Sequence, residues 1–166
     1  MELIILRGLP GCGKSTIAEK LGGRLDAPVV FGDFFKREFM KSNSSFENKE
    51  MYQYSYIKIF EKIKELFENG NKRIITEELF NDKNLVDKIK EFCKENNINI
   101  KSFFIERDIE KLLEIEESRE RKIKNTKVDF EKLEKEIIEI EIEDEIILNN
   151  NKKIEGSLEF ILSKIV

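Results

Sequence analysis

Gly8, Pro10, Gly11, Cys12, Gly13, Lys14, Ser15 and Thr16 lie in one run, Gly-Leu-Pro-Gly-Cys-Gly-Lys-Ser-Thr. The run fits G-x-x-x-x-G-K-[ST], a loop suited to cradling phosphates. A triphosphate needs many donors and little steric bulk. Glycines let the backbone turn tightly and bring successive N–H groups to face phosphate oxygens. A helix opening near Lys14 adds its positive dipole end. Lys14 is placed to reach the β- and γ-phosphates, and the Ser15 hydroxyl to ligate Mg2+. Cys12 reads as a small residue tolerated within the loop.

Other residues of the right type stand further along. Asp33 follows an apolar run, where a carboxylate can accept a proton from an attacking hydroxyl. It is equally placed to cap a helix starting at Phe34. Lys36 and Arg37 come next and suit either an anionic substrate or a solvated basic face. Glu77 and Glu78 end a second apolar run. An acid there can hold Mg2+ through water or orient a nucleophile, or simply charge the next helix entry. Between Ser118 and Lys127 stand Arg119, Arg121, Lys122, Lys124 and Lys127 against a single acid, Glu120. Cations on a segment that closes over a phosphoryl group can neutralise its charge and exclude water. Cations also favour helix C-termini without any such role. The aromatics between Phe31 and Tyr56 read first as core, with some placed to line an acceptor pocket.

The surrounding elements must bring these residues together. Leu3–Leu6 reads as a buried parallel strand, followed by a helix with Ile17, Ala18 and Leu21 inward and Gly22-Gly23 as its stop. Ala27–Phe31 reads as a second strand and Phe34–Met40 as a short helix. A long helix is expected from about Glu47 to Glu68, closed by Asn69-Gly70-Asn71. Arg73–Glu77 is the third strand, Leu85–Cys93 an amphipathic helix, and Ile98–Ile105 the fourth strand. Asp108 to about Ile123 reads as helix. Phe130, Leu133, Ile137 and Ile140 have helical spacing, although Ile138–Glu143 also alternates as a strand would. A helix ending near Glu141, a fifth strand at about Glu145–Leu148 and a closing helix over Gly156–Val166 follow. This alternation implies an α/β fold, a parallel sheet with helices on both faces.

Length and composition narrow the classes. The chain has 166 residues, 39% of them charged, with a net charge of −4. One domain with a sizeable core is expected. No global basic field draws nucleic acid, although a local basic patch remains open. Histidine is absent, which excludes imidazole catalysis and His metal ligation. Cys12 and Cys93 have no disulfide-framework spacing, so a reduced cytoplasmic setting is expected. No apolar run approaches the ~20 residues that span a bilayer. The opening strand leaves no room for a signal peptide.

Gly8–Thr16, Gly32–Arg37 and Arg119–Lys127, in this order, resemble the small P-loop kinases that phosphorylate hydroxyls. Those include polynucleotide 5′-hydroxyl kinases, gluconate and shikimate kinases, adenylylsulfate kinase, chloramphenicol phosphotransferase and zeta-type toxins. The resemblance implies a three-layer P-loop fold whose five parallel strands run in the order 2-3-1-4-5. It implies Asp33 as base, with Lys36 or Arg37 on the acceptor's phosphate, and Arg119 and Arg121 on a lid around residues 118–128. It places an acid, here Glu77 or Glu78, toward Mg2+ or substrate, and adenine near Asn149–Asn151.

The expected activity is therefore ATP- and Mg2+-dependent transfer of a γ-phosphoryl group to a hydroxyl of a small-molecule or nucleoside-like acceptor. A polynucleotide 5′-end is a close rival, less favoured by the net acidity. A GTP-binding switch is a reading of another class. Thr126-Lys127-Val128-Asp129 resembles a guanine-specificity motif, yet no apolar strand precedes it and no D-x-x-G follows the third strand. A non-catalytic nucleotide-binding regulator is a third, and no partner surface is evident in the chain.

Overall fold

A computed structural model describes residues 1–120, 124–151 and 153–165. Its elements are β1 (Glu2–Arg7), α1 (Lys14–Leu25), β2 (Val29–Phe31), α2 (Gly32–Ser42), α3 (Asn48–Glu68), β3 (Arg73–Glu77), α4 (Lys83–Glu95), β4 (Asn99–Glu106), α5 (Ile109–Ser118), α6 (Lys127–Ile138), β5 (Ile146–Asn149) and α7 (Ile154–Ile165). The five strands form one parallel sheet in the order β2-β3-β1-β4-β5. The order in the sheet reverses beside β1, so its carboxyl end opens onto the crevice where ligands bind in such folds.

Successive side chains of a strand face opposite ways, and β1 buries both sets. Ile4 and Leu6 join Ile17 and Leu21 of α1 and Leu158 and Ile161 of α7 on one face. Leu3 and Ile5 join Ile59 and Ile63 of α3 and Val86 and Ile89 of α4 on the other. Cys93 belongs to this second core, and burial pushes its thiol up to about 12. Beneath β4 and β5, Arg7 is 2% exposed and reaches Glu145 through Nε and Nη2 at 2.6 Å each, with Nη1 on the Ile137 carbonyl.

Several boundaries depart from the sequence-based expectation. Gly22-Gly23 does not stop α1. The helix continues to Leu25, and Asp26 ends it at φ 48°, ψ 47°. Gly22 serves packing instead, since a Cβ there would come within 2.5 Å of Val29 Cγ2 and push β2 away. Helix α2 begins at Gly32 with Phe31 as its cap, so Asp33 sits in the first turn and does not cap it. Helix α5 stops at Ser118 rather than near Ile123, and α6 at Ile138 rather than near Glu141. The alternating stretch beyond α6 then sends Ile142 into the second core. Among the described residues, no helix is long and apolar enough to cross a membrane.

Candidate active site

The loop from Gly8 to Gly13 runs from the carboxyl end of β1 to the start of α1. Gly8 has φ 145°, and a Cβ there would meet the Ile105 carbonyl oxygen at 2.4 Å. Gly13 has φ 104°, and its Cβ would meet Asn150 Nδ2 at 2.5 Å. Both positions therefore exclude a side chain on conformation and on space.

Loop carbonyls are held by donors. Lys14 Nζ donates to the Gly8 and Leu9 carbonyls at 2.8 and 3.1 Å. Arg107 Nη1 donates to Gly11 O at 3.1 Å, and Asn150 Nδ2 to Cys12 O at 2.7 Å. A peptide's C=O and following N–H point opposite ways, so the bond to Asn150 turns the Gly13 amide away from it. Helix α1 starts without a side-chain cap and without an acid in its first turn. Its leading amides and dipole suit an anion. Cys12 is fully buried within the loop.

Arg107 and Asn150 were not singled out as loop supports from sequence. Arg107 also donates from Nε to Asn150 O at 3.1 Å, while Asn150 Oδ1 accepts from Ser157 Oγ at 2.7 Å. Their signal was positional only, since both follow strands at the carboxyl edge of the sheet. Asn150→Ala strips a partner from the buried Cys12 carbonyl and from Ser157. It should cost about 2 kcal/mol in urea denaturation and weaken nucleotide binding through the loosened loop.

Two cavities open beside the loop. One, of about 730 Å3, is lined by Ser15, Thr16, Phe34, Arg37, Lys41 and Glu77 among others. The second, of about 620 Å3, brings together Lys14, Asp33, Lys36, Arg37, Glu77 and Arg119, with Pro10, Gly11 and Ser15. Ser15, Asp33, Arg37 and Glu77 line both. The phosphate loop, the end of β3, the first turns of α2 and the end of α5 thus converge on one place. Arg121 lies outside the described residues. Arg119 follows the last turn of α5, with Nη1 3.1 Å from Glu116 Oε2. A Cβ on Gly11 would stand 3.7 Å from its Nη2, so the guanidinium lies over the loop.

The two acids at the end of β3 and just past it, Glu77 and Glu78, have different surroundings. Glu77 is 3% exposed. Burial raises its carboxyl from the ordinary 4.5 to about 7; Lys14 and a Ser15 hydrogen bond oppose this, while Glu78 and Asp33 add to it. Glu78 is also buried but is held by Lys36, whose Nζ donates to Oε1 at 2.7 Å and lies 2.6 Å from Oε2. Lys36 Nζ is 3.4 Å from Asp33 Oδ1 and 4.8 Å from the centre of the Tyr52 ring. Burial alone would weaken its hold on the proton; Glu78 more than reverses this, Asp33 and Tyr52 assist, and the ammonium is held above the usual lysine range. Just after these acids, buried Phe80 takes φ 54°, a conformation costly for a bulky residue that its core packing enforces.

Glu77 binds its proton more tightly folded than unfolded, so its ionisation favours unfolding. Below about pH 4.5 both states are protonated and the penalty is absent; it grows through pH 7 and is complete above it. Glu77→Gln should lack this decline. Thermal denaturation between pH 5 and 8 should separate wild type from the variant by on the order of 3 kcal/mol.

Thr126-Lys127-Val128-Asp129 lies elsewhere and has another use. Thr126 caps α6, and Asp129 Oδ2 accepts from the Thr126 amide and hydroxyl at 2.7 Å each. Those bonds hold the Asp129 carboxyl below its usual range.

Structural comparison finds the same fold in several solved proteins. A Chloroflexus aurantiacus protein provisionally named a kinase aligns with a TM-score of 0.75 at 13% identity, covering 99% of this chain and 98% of that one. A gluconokinase from Sinorhizobium meliloti gives 0.64 at 14% identity, covering 98% and 90%. The APS kinase of Mycobacterium tuberculosis, in complex with AMPPNP and APS, gives 0.65 at 12% identity, covering 98% and 95%. Comparison with curated protein sequences gave no match. A family model described as an AAA domain spans residues 3–140, from β1 to just past α6, and the chain belongs to that family of P-loop kinase folds.

Proposed function

We propose that this protein is a kinase that moves the γ-phosphoryl group of ATP, with Mg2+, to a hydroxyl of a small-molecule or nucleoside-like acceptor. The observation that carries the reading is the 620 Å3 cavity, where Lys14, Asp33, Glu77 and Arg119 line one space. The donors fit the group they would hold. The uncapped start of α1 and the Lys14 ammonium suit the phosphates. Among the described residues, no three His, Cys, Asp or Glu side chains gather into a metal cage. Mg2+ needs none, because it keeps waters and takes few protein ligands beside phosphate oxygens. The Ser15 hydroxyl is its protein ligand in this reading, and Glu77 lies within hydrogen-bonding reach of Ser15. Bound Mg2+ supplies neutralisation of phosphate charge.

The chain's own residues do the rest. Lys14 exchanges its loop carbonyls for the β- and γ-phosphate oxygens. Asp33, 61% exposed at its side chain, aims the acceptor hydroxyl and takes its proton as the new O–P bond forms and the bond from the γ-phosphorus to the β–γ bridging oxygen breaks, releasing ADP. Arg37 holds the acceptor from the wall shared by both cavities. Arg119 meets the charge of the phosphoryl group in flight, and the segment around 118–128 acts as a lid within one catalytic domain. The acceptor side carries acids as well as cations, which suits a small molecule better than a phosphate backbone.

Calorimetry with AMPPNP and Mg2+, followed by labelled transfer to a panel of sugars, sugar acids, nucleosides and 5′-hydroxyl oligonucleotides, tests the reading. Uptake of ATP analogue and transfer to one small hydroxyl compound is expected. Preferential GTP uptake, or tight ATP binding with no transfer across the panel, would overturn it.

A further inference from the structure

Helix α2 carries Asp33 and Arg37 into the site; it lies along α3, with Phe35 packed against the second core. Gly32 is its only buried residue. Against α3 it rests on the Phe39 ring, 5.2 Å from that of Tyr54, on a Tyr54 hydroxyl to Glu38 bond, and on Ser55 Oγ donating to Gly32 O at 3.2 Å. Toward the sheet its strongest polar tie is Lys36 on Glu78. The approach is so close that a Cβ on Gly32 would stand 2.0 Å from Glu78 Oε2. Glycine at the first position of α2 therefore leaves the space that Glu78, just past the end of β3, occupies. The ammonium has no comparable freedom. Its side chain is 11% exposed, with both Glu78 oxygens, Asp33 and the Tyr52 ring around it.

We propose that Lys36 is a positioning residue: clamped to Glu78, it holds the first turn of α2, and with it Asp33, against the phosphate loop. This rests on the kinase reading for its purpose and on the ion pair for its mechanism. The acceptor's own cationic contact then falls to Arg37, whose exposed side chain lines both cavities. A buried pair stripped of one partner leaves an uncompensated charge, whereas removing both charges is far milder for overall stability. That difference separates a clamp from general stabilisation.

Hydrogen exchange of backbone amides in Lys36→Met/Glu78→Gln tests it. Amides of residues 34–42 should exchange about a hundredfold faster than in wild type, while α1 and α4 keep their protection. Lys36→Arg should retain protection because it keeps the ion pair, and Lys36→Met alone serves as the uncompensated comparison. In turnover, the double variant should lose about tenfold in kcat with KM for ATP unchanged, on the acceptor used or on water. Unchanged exchange in α2, exchange raised equally throughout the sheet, or Lys36→Arg as loose as Lys36→Met would each overturn the clamp. Wild type that takes up no AMPPNP in calorimetry would instead remove the kinase reading, and with it Asp33 as the thing positioned, whatever α2 does.

Discussion

Lys14→Ala is expected to lower phosphate transfer by about three orders of magnitude or more in kcat/KM, with the chain still folded. Lys14 is 8% exposed and its ammonium is held on the Gly8 and Leu9 carbonyls, so the protein places a cation at the mouth of the loop before any substrate contact. A charge fixed in a water-poor site is worth more than the same charge in solvent, and phosphoryl transfer depends almost wholly on such placement. Alanine deletes it and leaves both carbonyls a partner short, so a drop of about 1–2 kcal/mol in stability should accompany the rate loss. Lys14→Arg should not restore activity. The planar guanidinium is broader than an ammonium, and Lys14 lies within the bend it bridges. Single-turnover transfer from labelled ATP at saturating nucleotide separates the chemical step from binding. A rate within tenfold of wild type would show that Lys14 contributes only to the architecture of the loop.

The parts of this arrangement that local chemistry dictates were open to reading. The glycines before Lys14 announce positive φ because glycine adopts it without steric cost, and Gly8, Gly11 and Gly13 all take it. Buried parallel strands show as short apolar runs, so Leu3–Leu6 of β1 and Ile74-Ile75 of β3 stand out and Glu77 falls at a strand end. Glycine inside a helix misleads because local preference says stop. Gly22 answers to Val29 on the next strand, a packing requirement that the residue type alone does not reveal. The end of α5 is hard to read for a related reason. Helical composition continues past Ser118, yet Arg119 turns to extended backbone while Glu116, buried beneath it, accepts from the Asn125 amide and side chain as well. Lys36 reads as a substrate contact or a solvated cation until Glu78 is known to stand beside it, 42 residues away in sequence. Asn150 supports the phosphate loop from 138 residues away. Residue types reveal what chemistry a position allows, while a partner brought by topology decides whether the position uses it.

Asp33→Asn should reduce transfer by about a hundredfold to ten-thousandfold while leaving nucleotide affinity close to wild type. The prediction is sharp because a structural use of this carboxylate has little to stand on. Phe31, not Asp33, occupies the cap position of α2, and no side-chain cap bond is made there. The side chain is 61% exposed, and its ion pair with Lys36 at 3.4 Å is long. Stability should therefore change by no more than about 0.5 kcal/mol, as at an exposed position without strong partners. Asparagine keeps the shape and loses both the charge and the capacity to take a proton. Asp33→Glu keeps both and moves them by one methylene. Recovery of part of the rate in Asp33→Glu, with none in Asp33→Asn, would identify proton acceptance as the property that matters. Equal loss in both would make exact aim of the hydroxyl the larger contribution. Full turnover by Asp33→Asn would leave the acceptor hydroxyl to be activated by another group, and Glu77, whose carboxyl titrates near neutrality between Lys14 and Ser15, is the carboxylate at the site next placed to take that part.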